Sequence, residues 1–291
     1  MSQIYQGRVN GHIIGVVLKE AVRRALAAIR RQMISFEVTQ KDGYSGKTMD
    51  DVFTTADTEA QEIYLRMLRE CFPHCGVVAE EDSLSIEGSD GCTAYFTVDP
   101  LDGTKAFVRG QVHGVGTMVA LVDNGTVVAA FIGDLHSRVV YGYRPGSDKV
   151  HMITDLDVVR ELEFKNPFVP GKSYVLLRDP PYKYSTATQV MLDFGTFGNY
   201  QIDGGSIGVW MARLWRREVQ AVILAPSAET PWDSSPVVGI SGKLGYRFLK
   251  PNIVGNGWLE FQPGLSRTVY PRSHDTMIIH ENDLPQLGIG W

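Results

Sequence analysis

The 291 residues predict an α/β protein with two unlike halves. From Cys75 to about residue 145, short apolar runs follow one another as the strands of a sheet do. After residue 150, apolar runs alternate with helical patterns, which is typical of α/β folds. We therefore expect an N-terminal α+β half at residues 1–150 with a mostly antiparallel sheet, and a C-terminal α/β half at residues 151–291.

The N-terminal half begins with two predicted helices. Residues 12–34 place apolar side chains such as Ile13, Val17 and Leu26 at helical intervals among charged ones. A second helix begins at Asp57 and is stopped by Pro73. The strands that follow lie in CGVVAE, TAYFTVD, GVGTMVALVD, GTVVAAFIGD and RVVYGYRP, and the DNG at 123–125 predicts a tight hairpin turn.

The C-terminal half reads as strand, helix, strand, helix. Strands are predicted in SYVLLRD, AVILAP and YRFLK, and helices in TATQVMLDFG, in SIGVWMARLWRRE and at residues 233–245. The polar segments 145–172 and 251–291 are interpreted as loops and edge elements.

Composition argues against several classes of partner. The net charge is −5 with 21% charged residues, so no basic surplus indicates nucleic acid or an anionic membrane. The chain has an odd number of cysteines, Cys71, Cys75 and Cys92, and they form no CxxC pair, so we expect reduced thiols. No apolar run approaches the ~20 residues that span a bilayer. We therefore expect a cytoplasmic protein with a small-molecule partner.

Acidic residues gather at predicted strand ends and helix starts. Because strands lying side by side would bring these carboxylates together, their repulsion calls for a cation. Oxygen ligands without histidine or thiolate favour Mg²⁺ or Mn²⁺ over zinc. Each cluster alone is more readily explained as ordinary turn and cap residues. The clusters are Asp51 with Asp57, Glu80 with Glu81, Asp99 with Asp102, and Asp233.

The segment DPLDGT strengthens the cation interpretation. Pro100 restricts Asp99 to an extended conformation, and Gly103 permits a positive φ or a close backbone approach. Such a turn can direct two carboxylates and a carbonyl at one ion. Gly103 and Thr104 add amide donors for a phosphate oxygen.

Four motifs together resemble the inositol monophosphatase superfamily, which includes fructose-1,6-bisphosphatases and 3′-phosphoadenosine 5′-phosphate phosphatases. They are DVFTTAD, AEED, DPLDGT and the segment 231–240 that begins with PWD, in the family's order. The resemblance covers about residues 47–250. It implies an αβαβα layered sandwich of the sugar-phosphatase type, and a Mg²⁺-dependent phosphatase that attacks a small phosphate monoester with metal-activated water. It also implies a homodimer.

The resemblance further implies a role for each matching position. Asp57 would accept a hydrogen bond from Thr104, so that the pair orients the attacking water, and Glu80 would also take part in catalysis. Two or three Mg²⁺ ions would be bound by Glu80, Asp99, the Leu101 carbonyl, Asp102 and Asp233. Substrate would be contacted by Asp102, Gly103, Thr104, Ser206, Trp210 and Glu229.

Substrate identity is where this chain departs from the family. The glutamate that contacts inositol seven residues before the WD aspartate is Pro226 here, and Glu229 is a candidate substitute. Trp210 follows the GGSIG turn, where small residues are usual. The main interpretation is therefore a phosphatase of a sugar, polyol or inositol monophosphate. The alternatives are a 3′-phosphoadenosine 5′-phosphate or histidinol-phosphate phosphatase, or a non-catalytic binding protein with the same fold.

Overall fold

The computed structural model describes residues 10–40, 52–252, 254 and 257–287. Asp51, which forms one of the acidic clusters of the sequence with Asp57, lies outside these ranges. The described α-helices are α1 Gly11–Gln32, α2 Thr55–Cys71, α3 Thr104–Val108, α4 Thr186–Asp193, α5 Ile207–Trp215 and α6 Pro231–Lys243. Short 3₁₀ helices lie at Glu81–Ser83, Pro181–Lys183 and Glu281–Leu287.

Two large sheets dominate the strands. In chain order the strands are β1 Val38–Gln40, β2 Val52–Thr54, β3 Gly76–Ala79, β4 Ser85–Ile86, β5 Tyr95–Asp102, β6 Gly116–Asp123, β7 Thr126–Asp134, β8 Val140–Tyr143, β9 His151–Ile153, β10 Val159–Glu161, β11 Tyr174–Leu177, β12 Asn199–Ile202, β13 Ala221–Leu224, β14 Ser227–Glu229, β15 Tyr246–Pro251, β16 Trp258–Phe261, β17 Tyr270–Arg272 and β18 Thr276–His280. One sheet has the order β10-β9-β8-β7-β6-β5-β3-β4, and the other has the order β12-β11-β13-β18-β15-β16.

The first sheet is mostly antiparallel, as predicted: only the β3–β5 pair among its described strands is parallel. Asn124 and Gly125 form the β6–β7 turn with φ of +48° and +70°, and Asp123 pairs with Thr126 across it. This is the two-residue hairpin that DNG indicates. In the second sheet, β11 pairs parallel with β12 and β13, whereas β18, β15 and β16 are antiparallel.

Three apolar clusters hold together the five layers of helices and sheets. The first joins α1 and α2 to one face of the large sheet, with Leu18 and Phe96 among its members. The second fills the space between the two sheets around α5 and α6, and it includes Trp215. The third joins the outer face of the second sheet to α4 and the C-terminal 3₁₀ helix, around Ile223. The expected αβαβα sandwich is therefore confirmed.

The strands of the C-terminal half differ in one place from those predicted. Strand β18 lies in the middle of the second sheet and is fully buried, so the loop and edge interpretation of 251–291 is wrong there. Its run TMIIH is short and lies between polar residues, which hid the strand. Strands β9 and β10 extend the first sheet to Glu161, and the division of the chain near residue 150 stays a prediction.

Other features concern single residues. Cys71, Cys75 and Cys92 are free thiols. Trp215 is 1% exposed, and its indole Nε1 donates to Ser241 Oγ at 3.0 Å, so this ring faces the core. Within the described ranges, no helix combines the length and the apolar character needed to cross a bilayer.

Candidate active site

A β-bulge in β5 turns two acidic residues toward one place. Asp99 pairs with Met118, and Asp102 pairs with Gly116. Between these two pairs, β5 contains one residue more than β6. In a regular strand, the side chains of residues three apart point to opposite faces of the sheet. The extra residue of the bulge allows those of Asp99 and Asp102 to point to the same side. Thr117, opposite the bulge, donates to the Asp99 carbonyl at 3.0 Å.

Helix α6 brings a third carboxylate to the bulge. Asp99, Asp102 and Asp233 each offer one carboxylate oxygen, and these oxygens lie within 4.8 Å of one another. Asp233 is the third residue of α6, whose N-cap is Thr230, so the carboxylate lies in the first turn of the helix.

The cluster is electrostatically strained when it holds no cation. Burial, and then the charges of Glu80, Asp102 and Asp233, raise the pKa of Asp99 well above its ordinary value. Burial and Asp233 raise the pKa of Asp102 to about 7, although the Ser206 hydroxyl and the Gly208 amide oppose that rise.

The same residues fit a hard divalent cation. Oδ1 of Asp99 is buried and accepts no hydrogen bond within the described part of the chain. A buried acceptor without a donor is costly unless a cation binds it. The donor set consists of carboxylate oxygens, which suits Mg²⁺ or Mn²⁺.

Glu80 approaches this cluster from the neighbouring strand. It follows β3 directly, and its amide donates to the Val98 carbonyl of β5 at 3.1 Å. Its charge is the second cause of the raised pKa of Asp99, after burial. The Gln61 side chain holds the turn after β3 by bonding both the amide and the carbonyl of Glu81. The structure thus brings the charge of Glu80 close enough to act on Asp99.

Asp57 and Thr104 form a second, connected group. Asp57 is fully buried at the start of α2, where its Oδ2 accepts from the Thr54 amide and hydroxyl, each at 2.7 Å. The Thr104 hydroxyl lies 3.2 Å from Asp57 Oδ1 and 3.0 Å from the Leu101 carbonyl. The capping box of α2 therefore fixes the aspartate that meets the DGT turn.

The DGT turn lies against the start of α5. Gly103 has φ of +89°, and a Cβ there would lie 2.3 Å from the Gly114 carbonyl oxygen and 2.7 Å from the Ser206 amide nitrogen. Ser206 caps α5 and donates through Oγ to Asp102 at 2.5 Å. The amides of Ile207 and Gly208 also donate to the Asp102 carboxylate, at 3.0 and 2.8 Å. Only glycine at position 103 allows the DGT turn to lie this close to the backbone of Gly114 and Ser206.

A cavity of about 480 Å³ adjoins Asp233. Glu229 lies in its wall, where it forms an ion pair with Arg272. Trp210 lies elsewhere: it is 3% exposed in the core between the sheets and borders a different cavity beside Asp134. This placement does not support the expected contact between Trp210 and substrate.

Several residues of this cavity were missed by sequence reasoning. Ile207, the residue after Ser206, occupies the wall at the start of α5. Arg178 follows β11, and Phe261 and Tyr270 come from the segment interpreted as loops. The arginine in SYVLLRD, at the end of a predicted strand of the α/β half, was the one signal in the sequence for Arg178.

Comparison with known proteins places this geometry in a family. The model of the inositol monophosphatase family matches residues 14–267, so the chain belongs to that family. A histidinol-phosphatase from Chlorobaculum parvum is 26% identical over 230 residues, covering 77% of this chain and 83% of that protein.

Two shorter matches concern other members. Nus factor SuhB from Vibrio cholerae is 35% identical over 97 residues, or 33% of this chain. The 3′(2′),5′-bisphosphate nucleotidase CysQ from Salmonella typhimurium is 34% identical over 99 residues, or 34% of this chain. These matches cover only 36% and 39% of the two relatives' lengths.

Solved structures share the fold. The suhB extragenic suppressor protein from Bartonella henselae superposes with a TM-score of 0.71 at 18% identity, covering 96% of this chain and 100% of that one. A staphylococcal inositol monophosphatase-1 gives a TM-score of 0.70 at 15% identity, covering 96% and 94%.

Proposed function

We propose that the protein is a Mg²⁺-dependent phosphomonoesterase that hydrolyses a small phosphorylated metabolite. The observation that carries this proposal is the meeting of the Asp99, Asp102 and Asp233 carboxylates next to a cavity that Asp233 lines, with the charge of Glu80 acting on Asp99. Membership of a family whose named relatives include phosphatases supports it.

Different residues of the chain are assigned to ion binding, to positioning the attacking water and to binding the phosphate. Glu80, Asp99, the Leu101 carbonyl, Asp102 and Asp233 would hold two or three ions. When bound, Mg²⁺ supplies charge neutralisation at the phosphate and lowers the pKa of water. Asp57 keeps the Thr104 hydroxyl oriented toward the bulge, where the pair would position the attacking water. The amides of Gly103 and Thr104 would donate to phosphate oxygens.

The leaving group is expected to be a sugar, polyol or inositol. A specific observation favours a second candidate, an ester whose alcohol carries an aromatic ring. The cavity walls include the aromatic side chains of Phe248, Phe261 and Tyr270, whose rings offer surfaces against which a ring of the leaving alcohol can pack. The bisphosphate nucleotidase and histidinol-phosphatase relatives agree with this candidate.

Phosphate release from a panel of esters tests the proposal. We expect turnover with Mg²⁺, none in chelator, and a loss of ~10³-fold or more in Asp99→Asn, because a ligand shared by ions is weakened. Asp193→Asn, at the exposed end of α4, is the matched control. Normal activity of Asp99→Asn would contradict the metal assignment, and no turnover of any ester would favour the non-catalytic binding protein.

Two further properties are proposed, a homodimer from the family resemblance and a cytoplasmic location from the composition and apolar pattern of the sequence. A homodimer is tested by sedimentation equilibrium, in which a monomer mass would contradict it. A cytoplasmic location is tested by fractionating cells that produce the protein.

A further inference from the structure

Arg178 lies on the cavity wall and forms no ion pair with any described residue. It follows β11 and lines the cavity together with Ile207 and Asp233. Its side chain is exposed, and its Nη2 donates to the Gly205 carbonyl at 3.2 Å. Within the described residues this is the guanidinium's only hydrogen bond, so most of its five N–H donors are available to a ligand.

A buried tyrosine fixes the backbone of Arg178. The Tyr184 hydroxyl accepts from the amides of Arg178 and Asp179, at 3.1 and 3.2 Å, and donates to the Ile223 carbonyl at 3.0 Å. Tyr184 is only 4% exposed. The turn after β11 is therefore tied to the second sheet, and the root of the Arg178 side chain is held in place.

Apart from Asp233 of the acidic cluster, the other charged side chains of the cavity wall are already paired. Arg272 pairs with Glu229 and donates to the carbonyls of Ala225 and His274. Asp179 pairs with Lys183 at 2.7 Å. Among the arginine side chains of this wall, Arg178 is the one that remains open to a ligand.

We propose that Arg178 is a specificity-determining residue that binds a second anionic group, a carboxylate or phosphate, on the leaving part of the substrate. The inference rests on the proposed function. The scissile phosphate belongs with the carboxylate cluster and the DGT turn, whereas the cavity has the volume of a site for a whole metabolite. A guanidinium fork matches the geometry of both carboxylate and phosphate.

Matched ester pairs test this inference. Glycerol 2-phosphate and 2-phosphoglycerate differ by a carboxylate, and adenosine 3′-phosphate and adenosine 3′,5′-bisphosphate differ by a phosphate. We expect wild type to prefer the member with the extra anion in at least one pair. Arg178→Gln should lower kcat/KM for that member by about 10- to 100-fold, mainly through KM, with little change for the other member. Arg178→Lys should retain part of the preference.

Arg69→Gln, at an exposed position near the end of α2, removes the same charge away from the cavity and should change neither ester. Equal losses for both members of a pair, or no preference in wild type, would overturn the inference. Calorimetry with adenosine 5′-phosphate and glycerate in chelator separates it from the proposed function. Binding of either product that Arg178→Gln weakens would support the inference even without turnover, and a protein that neither hydrolyses nor binds would refute both proposals.

Discussion

The Ser206 hydroxyl donates to Oδ2 of Asp102 at 2.5 Å, and this contact joins the strand that carries two acids of the cluster to the start of α5. The same hydroxyl accepts from the Val209 amide at 3.0 Å, as an N-cap does. One side chain therefore both begins a helix and orients an acid of the cluster.

Ser206→Ala should lower both the stability of the protein and its affinity for Mg²⁺. Loss of the cap and of the bond to Asp102 should lower the free energy of unfolding by ~1–2 kcal/mol. Mg²⁺ affinity, measured by calorimetry, should fall by about 10- to 100-fold, because residues that orient metal ligands have effects of this size. Ser206→Thr keeps the hydroxyl and should stay close to wild type. Unchanged Mg²⁺ affinity in Ser206→Ala would show that Asp102 needs no such orientation.

The acidic cluster predicts a pH dependence of the metal-free protein. An aspartate in the unfolded chain has a pKa near ~3.9, whereas that of Asp102 in the folded protein is about 7. Between ~4 and ~7 the folded state therefore holds more protons than the unfolded state, and this contribution to stability is lost as pH rises. Asp99 acts in the same direction, because its pKa is also raised.

Thermal unfolding in chelator measures this effect. The pKa of His136 and of His280 is lowered by burial, which opposes the trend below about pH 6.5. The comparison with Asp102→Asn isolates the aspartate. We expect the wild-type Tm to fall more steeply than that of Asp102→Asn from about pH 5 to about pH 8, and saturating Mg²⁺ to reduce the wild-type fall. Parallel pH profiles for the two proteins would contradict the raised pKa of Asp102.

Gly103→Ala should be strongly destabilising. The new Cβ would meet backbone atoms of Gly114 and Ser206, which cannot move aside as the end of a side chain can. We expect a loss of ~3 kcal/mol or more in the free energy of unfolding by urea, or failure to fold. Gly110→Ala is the control, because Gly110 also has a positive φ but nothing within 4 Å of its added Cβ. That variant should lose only ~1–2 kcal/mol, and equal losses would show that the close contact at Gly103 is unimportant.

Thr104→Val should separate catalysis from metal binding. The variant lacks the hydroxyl that contacts Asp57 and the Leu101 carbonyl, but it keeps all the carboxylates. We expect kcat to fall by ~10²-fold or more, while Mg²⁺ still raises the Tm. Thr104→Ser should restore most of the turnover. If the Mg²⁺-induced shift in Tm disappeared together with activity, Thr104 would be needed for the ions themselves.

Local signals were sufficient for much of the fold. The turn at Asn124–Gly125 and the stop before Pro73 depend on backbone preferences of single residues, which the sequence displays directly. The central strand β18 depends instead on pairing with β13 and β15, which lie far away in the chain. A short apolar run cannot reveal such partners.

The candidate site divides in the same way. DPLDGT carries its own geometry, because Pro100 restricts the backbone at Asp99 and Gly103 allows the positive φ of the turn after Asp102. The cavity walls are assembled from distant segments, so spacing along the chain could not indicate that Ile207 would line the pocket while Trp210 turned into the core. Ile207 and Trp210 lie three residues apart on α5, so their different surroundings come from the distant segments that pack around each of them.

The two-stranded ribbon of β14 and β17 has a consequence for changing the protein. It belongs to neither large sheet, and it carries Glu229, Tyr270 and Arg272 on the cavity wall. The carboxylates belong to β5, to α6 and to the turn after β3. Exchanging the two short stretches 227–229 and 270–272 together for those of a relative would therefore alter the cavity wall while these carboxylates stayed in place.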